Sequence, residues 1–219
     1  MHDLMNRYTG DNLETNGLVH WYETNLSKER ADTIVSQIQS LQNFFQSHPH
    51  LFVPILDVWY DLERGCLITI MENHSDISLS QFLQQQGQID QSTPDSTQKK
   101  RTILESLTQV LNVLCVALPS ISLPCILSDQ FIISNDCCIR FLLNPLQMAD
   151  NGIWEREEFI PYLPPEFSNS TESQEASLVY SIGILLCEIA TFQKVCSECT
   201  SRDDLLARKT KVILKIQFS

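Results

Sequence analysis

Residues 27–71 carry the strongest secondary-structure signals of the chain: SKERADTIVSQIQSLQNFF (27–45), then VPILDVWY (53–60) and CLITIM (66–71). In the first run, apolar residues recur every three or four positions, which predicts an amphipathic helix. Ser27 is a candidate N-cap, and Pro49 stops the helix. The two later runs are rich in β-forming residues and a short polar link joins them, which predicts a hairpin. This stretch therefore predicts an α+β fold.

Toward the C-terminus the pattern is mainly helical. The polar residues 86–98, which include Pro94, predict a surface loop. Residues 177–191 are apolar almost all round, which is typical of a helix buried at the centre of a domain. The other predicted elements are a short helix (Leu79–Gln85), a long helix (about Thr97–Leu118) and two strands joined by a turn at Asn135 and Asp136 (Phe131–Ser134 and Cys138–Leu143).

The composition argues against several classes of function. The net charge of −12 and the pI near 4.7 disfavour nucleic-acid binding, which depends on Lys and Arg. No apolar run reaches the roughly 20 residues that a membrane span needs. Because no signal-peptide pattern follows Met1, we expect a cytoplasmic protein with reduced thiols.

The eight cysteines give only a weak indication of a metal site. Cys196 and Cys199 form a lone CxxC pair with no second pair and no nearby histidine. Cys137 and Cys138 are adjacent, so in a strand they face opposite sides, and we interpret them as packing thiols. We expect no metal and no cofactor.

Five short motifs, taken in order, resemble those of the eukaryotic protein kinase domain. They are Gln37–Leu41 with the turn His48–Leu51, which resembles helix C and its HPxI turn; Ile68–Glu72, which resembles the strand and hinge ending in ME; Leu79–Leu83, which resembles sLxdfL; Tyr162–Glu166, which resembles Y-x-A-P-E; and Leu178–Gly183, which resembles D-V-W-S-x-G. The resemblance spans residues 19–192. It implies a two-lobed fold with a partial N-lobe sheet (19–74) and a mainly helical, truncated C-lobe (75–192), flanked by an N-terminal segment (1–18) and a tail (193–219).

The resemblance also implies that the phosphotransfer chemistry is lost. A kinase needs a lysine on the phosphates, acids on magnesium and an aspartate base. The aligned replacements are Tyr22 for the lysine, Gln37 for the helix C glutamate, Cys125 for the base aspartate, Leu127 for the phosphate-contacting lysine, Gln130 for the magnesium-binding asparagine and Leu143 for the DFG aspartate. These side chains are uncharged at neutral pH, so we expect no ATP or magnesium binding and no kinase activity.

The nucleotide pocket implied by the resemblance survives only as a remnant. His20 replaces a small alanine, Met71 takes the gatekeeper place, and Glu72 and Ile132 complete the remnant. No glycine-rich phosphate loop precedes Val19, and too few residues stand before it for the usual first two strands. We therefore expect the base pocket to be obstructed.

Two architectural positions are retained by resemblance, Glu166 and Gly183. Leu178 stands where an aspartate braces the catalytic loop of kinases, so we expect core packing to replace that brace. In kinases the corresponding glutamate pairs with an arginine far downstream in the C-lobe, and the resemblance implies that Glu166 lacks this partner. We therefore expect the lobe to expose apolar surface that another chain or segment covers.

Other candidates for chemistry are weak. Asp129 takes a variable position of the aligned loop, and Asp136 lies in a turn, so neither is a good candidate base. Cys125 as a nucleophile would need a neighbouring histidine or cation. All five histidines lie at or before His74, and no cation is near Cys125 in sequence, which favours an inert core cysteine.

We interpret the chain as a catalytically inactive, kinase-like domain that binds a protein partner or acts as a scaffold. Two alternatives remain open: an unorthodox ATP-binding serine/threonine-type kinase with displaced catalytic groups, and an unrelated helical adaptor. The basic and apolar tail, residues 194–219, contrasts with the acidic body. It is either a partner-docking strand or the product of a truncated gene model.

Overall fold

The first half of the chain forms a four-stranded antiparallel sheet with one long helix. A computed structural model describes residues 5–12, 17–74, 77–87, 94–117, 125–144, 159–164 and 174–195, with the single residues 123 and 207. The elements of this half are β1 (Met5–Asn12), β2 (Gly17–Asn25), α1 (Lys28–Gln46), β3 (Ile55–Asp61) and β4 (Cys66–Glu72). The strand order is β1-β2-β4-β3, and the register of β2 with β4 puts His20 beside Met71.

Helix α1 confirms the predicted amphipathic helix. Its apolar stripe is buried along its whole length: Ala31, Ile34, Ile38, Leu41 and Phe45. The helix packs against β3 and β4, and Gln42 Nε2 donates to the Leu56 carbonyl at 2.6 Å. Ser27 occupies the N-cap position, but its side chain makes no capping hydrogen bond. The predicted helix start at Ser27 is therefore confirmed, and burial of the apolar stripe, not a side-chain cap, stabilises the helix.

Strand β1 precedes β2, the strand that carries Val19. It lies inside residues 1–18, which the sequence marked only as an N-terminal segment, and it pairs with β2 from Met5↔Thr24 to Asn12↔Gly17. Its residues show little apolar alternation, so periodicity did not predict it.

The second half of the chain is mainly helical. Its elements are α2 (Leu79–Gln86), α3 (Pro94–Ala117), β5 (Phe131–Ile133), β6 (Ile139–Phe141) and α4 (Gln174–Thr191), with 3-10 turns at Ser128–Gln130 and Ile160–Tyr162. Helix α2 begins with a capping box, in which Ser78 and Gln81 bond each other's backbone N–H groups.

The loop predicted for residues 86–98 is too long at both ends. Helix α2 extends to Gln86, and α3 begins at Pro94 rather than near Thr97. Proline suits the first turn of a helix, since its fixed φ is helical and the N–H group it lacks has no partner there. The proline that suggested a loop is therefore the start of the helix.

The expectation for α4 is wrong in one respect. Leu178, Leu185 and Ile189 are buried, as expected for a central helix, but Val179 and Leu186 are exposed. The helix packs against α3 and the Ile160–Tyr162 turn. It is therefore buried on one side only.

The two halves share one hydrophobic core. Residues 51–53 run beside β6, where Val53 N donates to the Phe141 carbonyl at 2.9 Å and Phe141 N donates to the Leu51 carbonyl at 2.8 Å. Four phenylalanine rings contact one another in turn across this junction, in tilted or edge-to-face geometry with centroids 5.0, 6.3 and 5.5 Å apart: Phe45, Phe52, Phe141 and Phe131. The fold is thus α+β with small antiparallel sheets, and aromatic packing joins its halves. Among the helices of the described ranges, none is both long and apolar enough to cross a membrane.

Candidate functional site

A cluster of three polar rings lies where β2 meets the end of β4. His20 and Tyr22, on β2, and His74, just after β4, are all buried. The Tyr22 hydroxyl and His74 Nε2 share a hydrogen bond of 2.9 Å. The rings of His20 and His74 meet edge-to-face with their centroids 4.3 Å apart. We call these three residues the His–Tyr cluster.

The remaining pocket residues predicted from the sequence lie around this cluster. Met71 is completely buried beside His20. Ile132 is buried on β5, where it bridges to Ser78. Glu72 accepts from Arg140 Nη1 at 3.0 Å, which joins the end of β4 to β6. Met71 and Glu72 thus lie at the end of β4 next to the His–Tyr cluster, and Arg140 links this end to the strand pair that carries Ile132.

Gln37, the predicted substitute for the helix C glutamate, lies half-buried on α1. Its Oε1 atom is buried and has no hydrogen-bond partner among the described residues. A buried acceptor without a donor costs roughly 1–3 kcal/mol. A glutamate at this position would cost more, because an unpaired charge replaces an unpaired dipole.

The loop aligned with the catalytic loop is buried and apolar. Cys125, Ile126 and Leu127 are each less than 5% exposed. Gln130 turns its side chain back onto this loop, where its Oε1 accepts from Leu127 N at 2.8 Å. Leu143, the DFG-aligned residue, is also buried. None of these side chains can offer a charge or an open ligand position to a phosphate or a metal.

Helix α4 braces this loop by a hydrogen bond, contrary to the expectation that packing alone would do so. The Ser181 hydroxyl accepts from Ile126 N at 3.1 Å and donates to the Leu178 carbonyl at 2.9 Å. Leu178 itself packs in the core, as expected. The brace therefore comes from the residue one helical turn later, whose hydroxyl can satisfy a buried amide without carrying charge.

A second polar network, which the sequence did not predict, lies below the same loop. Tyr162 Oη donates to both carboxylate oxygens of Glu188, at 3.0 and 2.9 Å. Because its proton is used in that way, Ser128 Oγ donates to Tyr162 Oη at 2.7 Å. Val195 N donates to Glu188 Oε1 at 3.0 Å. The signal in the sequence was Glu188 itself, a lone acid inside the apolar run of α4.

Burial controls the protonation of this network. It raises the pKa of Glu188, while the bonds from Val195 N and Tyr162 oppose that rise. Burial, followed by the neighbouring Glu188 charge, raises the pKa of Tyr162 well above its ordinary value. Both side chains are completely buried or nearly so, so the network ties three segments together and offers no surface to a substrate.

The two aspartates near the loop have structural partners. Asp129 accepts from Ser78 Oγ at 3.1 Å and pairs with Lys194 Nζ at 3.3 Å. Asp136 accepts from Ser134 Oγ, and that bond lowers the pKa of the carboxyl. Both carboxylates thus accept from serine hydroxyls that also serve the local backbone, Ser78 as the N-cap of α2 and Ser134 in the turn between β5 and β6.

An open hollow of about 390 Å³ lies on the surface near β5 and β6. It is lined by Pro49, His50, Ile132, Ile133, Ser134, Asp136, Cys138 and Arg140. Arg140 is already paired with Glu72, and Asp136 with Ser134. Burial, followed by the Asp136 charge, raises the pKa of the Cys138 thiol, which keeps it protonated. The hollow thus has neither a free charge nor an activated thiol.

Gly183 lies on α4, where an added Cβ would meet nothing within 4 Å. Glu166, Cys196 and Cys199 lie outside the described residues. Within the described ranges, no group of three or more His, Cys, Asp and Glu residues could hold a metal ion. No family model and no curated protein matches the chain.

Proposed function

We propose that the chain is a catalytically inactive, protein kinase-like module that acts by binding a protein partner. The observation that carries the proposal is the His–Tyr cluster. It occupies the position where the sequence resemblance puts the phosphate-binding lysine and the adenine pocket. Tyr22 cannot neutralise phosphate charge, and its hydroxyl is engaged by His74.

The order of the elements supports the kinase-like part of the proposal. A helix, α1, stands between the second and third strands of the antiparallel sheet, and a mainly helical half follows. Tyr22 lies on the strand directly before this helix, and Gln37 lies on the helix. In kinases the phosphate lysine is on such a strand, and its glutamate partner is on the helix that follows.

Electrostatics supports the loss of catalysis. Phosphoryl transfer needs positive charge on the phosphates and carboxylates on magnesium. The aligned residues Cys125, Leu127 and Leu143 are buried among apolar side chains. Introducing the missing charges here without partners would cost several kcal/mol each. The neutral set is therefore consistent with a scaffold whose stability does not depend on a bound nucleotide.

A cytoplasmic location is part of the proposal. Buried free thiols such as those of Cys66 and Cys125 are typical of proteins in a reducing compartment.

The test is a thermal-shift titration with ATP and MgCl2, with ATP and EDTA as the control. A ligand that binds only the native state raises the midpoint, by about 2.7 kcal/mol of stability at 100 times its Kd. We expect no magnesium-dependent rise. A clear magnesium-dependent rise would instead support the unorthodox kinase.

Two further measurements sharpen this test. His74→Ala removes one ring of the His–Tyr cluster, so a gain of adenosine binding by this variant would show that the ring obstructs a pocket that is otherwise intact. An experimental structure without a two-lobed kinase topology would favour the unrelated helical adaptor and exclude both kinase-like readings.

A further inference from the structure

Between the exposed polar residues Glu175 and Thr191 near its two ends, the solvent-facing side of α4 is an apolar stripe. Its exposed positions between residues 176 and 190 are Ala176, Val179, Gly183, Leu186, Cys187 and Ala190. Val179 is 69% exposed and Leu186 is 43% exposed. At 100° per residue, these six positions fall within about 100° of each other around the helix axis. Soluble chains seldom leave such a stripe uncovered unless it is an interface.

Gly183 stands at the centre of this stripe. A glycine in the interior of a helix costs about 1 kcal/mol relative to alanine, yet nothing within 4 Å would obstruct a Cβ at this position. The packing of the described chain therefore does not account for this glycine. A second helix that crosses closely at Gly183 does account for it, because only glycine lets the two backbones come near each other.

The stripe has the same pattern in both directions from Gly183. Small alanines stand seven residues away on each side, at 176 and 190. Larger residues stand nearer: Val179 four residues before, and Leu186 and Cys187 three and four residues after. An antiparallel copy of the same helix would set Val179 of each chain against Cys187 and Leu186 of the other. Such self-complementarity is what a two-fold interface requires.

We propose that a second copy of this chain docks on the α4 stripe, antiparallel, about a two-fold axis at Gly183. Charge favours this place of contact. Each chain carries −12, but the exposed positions from Ala176 to Ala190 carry no charged side chain. Two copies can therefore meet here without opposing carboxylates. The proposal depends only on the α4 surface, so its test is independent of the proposed kinase-like function.

The small contact area sets the strength of the dimer. One helix face about 21 Å long gives an interface at or below the roughly 1,200 Å² lower limit of stable complexes. We therefore expect a dissociation constant of about 10–100 µM. Repulsion between the two acidic bodies weakens the dimer at low salt, so raising the salt from about 20 to about 300 mM should tighten it.

The first test is sedimentation velocity from about 5 to about 300 µM protein, the range around the expected constant. We expect a concentration-dependent dimer that Val179→Glu and Leu186→Glu each weaken at least tenfold. Val116→Glu is the matched control, because Val116 is 73% exposed on α3, outside the stripe. A wild-type chain that stays monomeric throughout, or equal association by all three variants, would overturn the proposal.

Gly183→Ala separates folding from association. The added methyl should raise the melting temperature of the monomer by improving helix propensity, and it should weaken the dimer about fivefold or more by separating the helices. A variant that melts higher and still dimerises like the wild type would contradict close crossing at Gly183.

Disulfide trapping tests the antiparallel arrangement. Under mild oxidation, Val179→Cys should give a covalent dimer through the native Cys187 of the other copy, and Cys187→Ser in the same background should abolish it. A wild-type dimer linked through Cys187 of both copies would instead require parallel helices and would overturn the two-fold arrangement about Gly183.

Discussion

Glu188 is the only carboxylate buried among the described residues, and its partners are all donors from other segments. Tyr162 and Val195 donate to it, and Lys194 is a nearby cation. Burial raises the pKa of Glu188 despite these bonds, so the charged form is disfavoured in the folded chain. This carboxyl therefore stabilises the fold fully below its unfolded pKa, and that contribution is lost as the pH rises through its raised folded pKa.

Glu188→Gln should remove this pH dependence. The amide oxygen can still accept from Val195 N, and the amide group can donate to Tyr162. We expect the variant to gain stability relative to the wild type at pH 8, with the difference shrinking as the pH falls toward 4.5, the unperturbed pKa of the carboxyl. Urea unfolding of the wild type and the variant between pH 4.5 and pH 8 measures this difference in the free energy of unfolding.

The control for this prediction is Glu188→Leu, which leaves Val195 N without an acceptor, while the Tyr162 hydroxyl can still donate to Ser128 Oγ. It should cost about 1–3 kcal/mol. An unchanged pH slope in Glu188→Gln would mean that another group titrates instead.

Two glycines should respond to alanine with opposite signs. A Cβ on Gly87 would lie 2.6 Å from the Phe192 carbonyl oxygen, a backbone atom that cannot easily move because Phe192 is completely buried. Gly87→Ala should therefore cost about 1–3 kcal/mol, whereas Gly183→Ala should gain about 1 kcal/mol. Thermal unfolding of both variants checks this, and a loss of stability at Gly183 would reveal packing that the described chain does not include.

Phe192 shows how the end of α4 is held. It follows Thr191 with a φ of 51°, in the left-handed region that non-glycine residues seldom adopt. Its ring packs edge-to-face on Phe82 at 6.2 Å, and Lys100 Nζ lies 4.7 Å from the ring centroid. Burial of the ring offsets the backbone strain, so the helix ends there without a glycine.

At the scale of elements, α4 acts as the support for the loop aligned with the catalytic loop. Ser181 accepts from the buried amide of Ile126. Ser177, one turn earlier on the same helix, is equally buried, but its hydroxyl has no partner among the described residues. The two serines thus form a matched pair in which the Ser181 hydroxyl makes hydrogen bonds and the Ser177 hydroxyl does not.

Ser181→Ala should cost about 1–3 kcal/mol, because Ile126 N would be buried without an acceptor. Ser177→Ala should be neutral or stabilising, since it removes an unpaired hydroxyl from an apolar site. Denaturant unfolding of the two variants measures the difference, and hydrogen exchange at Ile126 should accelerate only in Ser181→Ala. Equal losses at both positions would show that the bond from Ile126 contributes little.

For the whole molecule, we expect the sheet and the helical half to unfold together, because contacts between phenylalanine rings join them. Phe52 contacts Phe45 on one side and Phe141 on the other, and it is 1% exposed. Phe52→Ala should cost about 3–5 kcal/mol and lower a single shared transition. The exposed Leu62→Ala is the control and should change stability by less than about 0.5 kcal/mol.

The measurement uses two probes of the same transition. Circular dichroism follows the helices, and tryptophan fluorescence in a Trp154→Phe background follows Trp21 and Trp59 on the sheet. Coincident midpoints are expected for one cooperative unit. Separate midpoints in the wild type would mean that the halves are independent domains.

The site could be predicted only in part, and the reason is physical. The resemblance selected His20 and Tyr22 on β2 and Met71 on β4, and the register of these two strands sets His20 beside Met71. His74 was missed because its hydrogen bond to Tyr22 joins residues 52 positions apart. Ser181 was missed for the same reason, as it bonds a residue 55 positions away.

Elements whose signal is local could be predicted from the amino-acid sequence alone. The three-to-four spacing of α1 and the β-rich runs around residues 61–65 predicted a helix and a hairpin that the structure contains. Which polar groups meet and which face of α4 stays exposed depend instead on the tertiary structure. Periodicity shows how apolar and polar residues are spaced within one segment. Burial and hydrogen bonding also depend on which other segments pack against it.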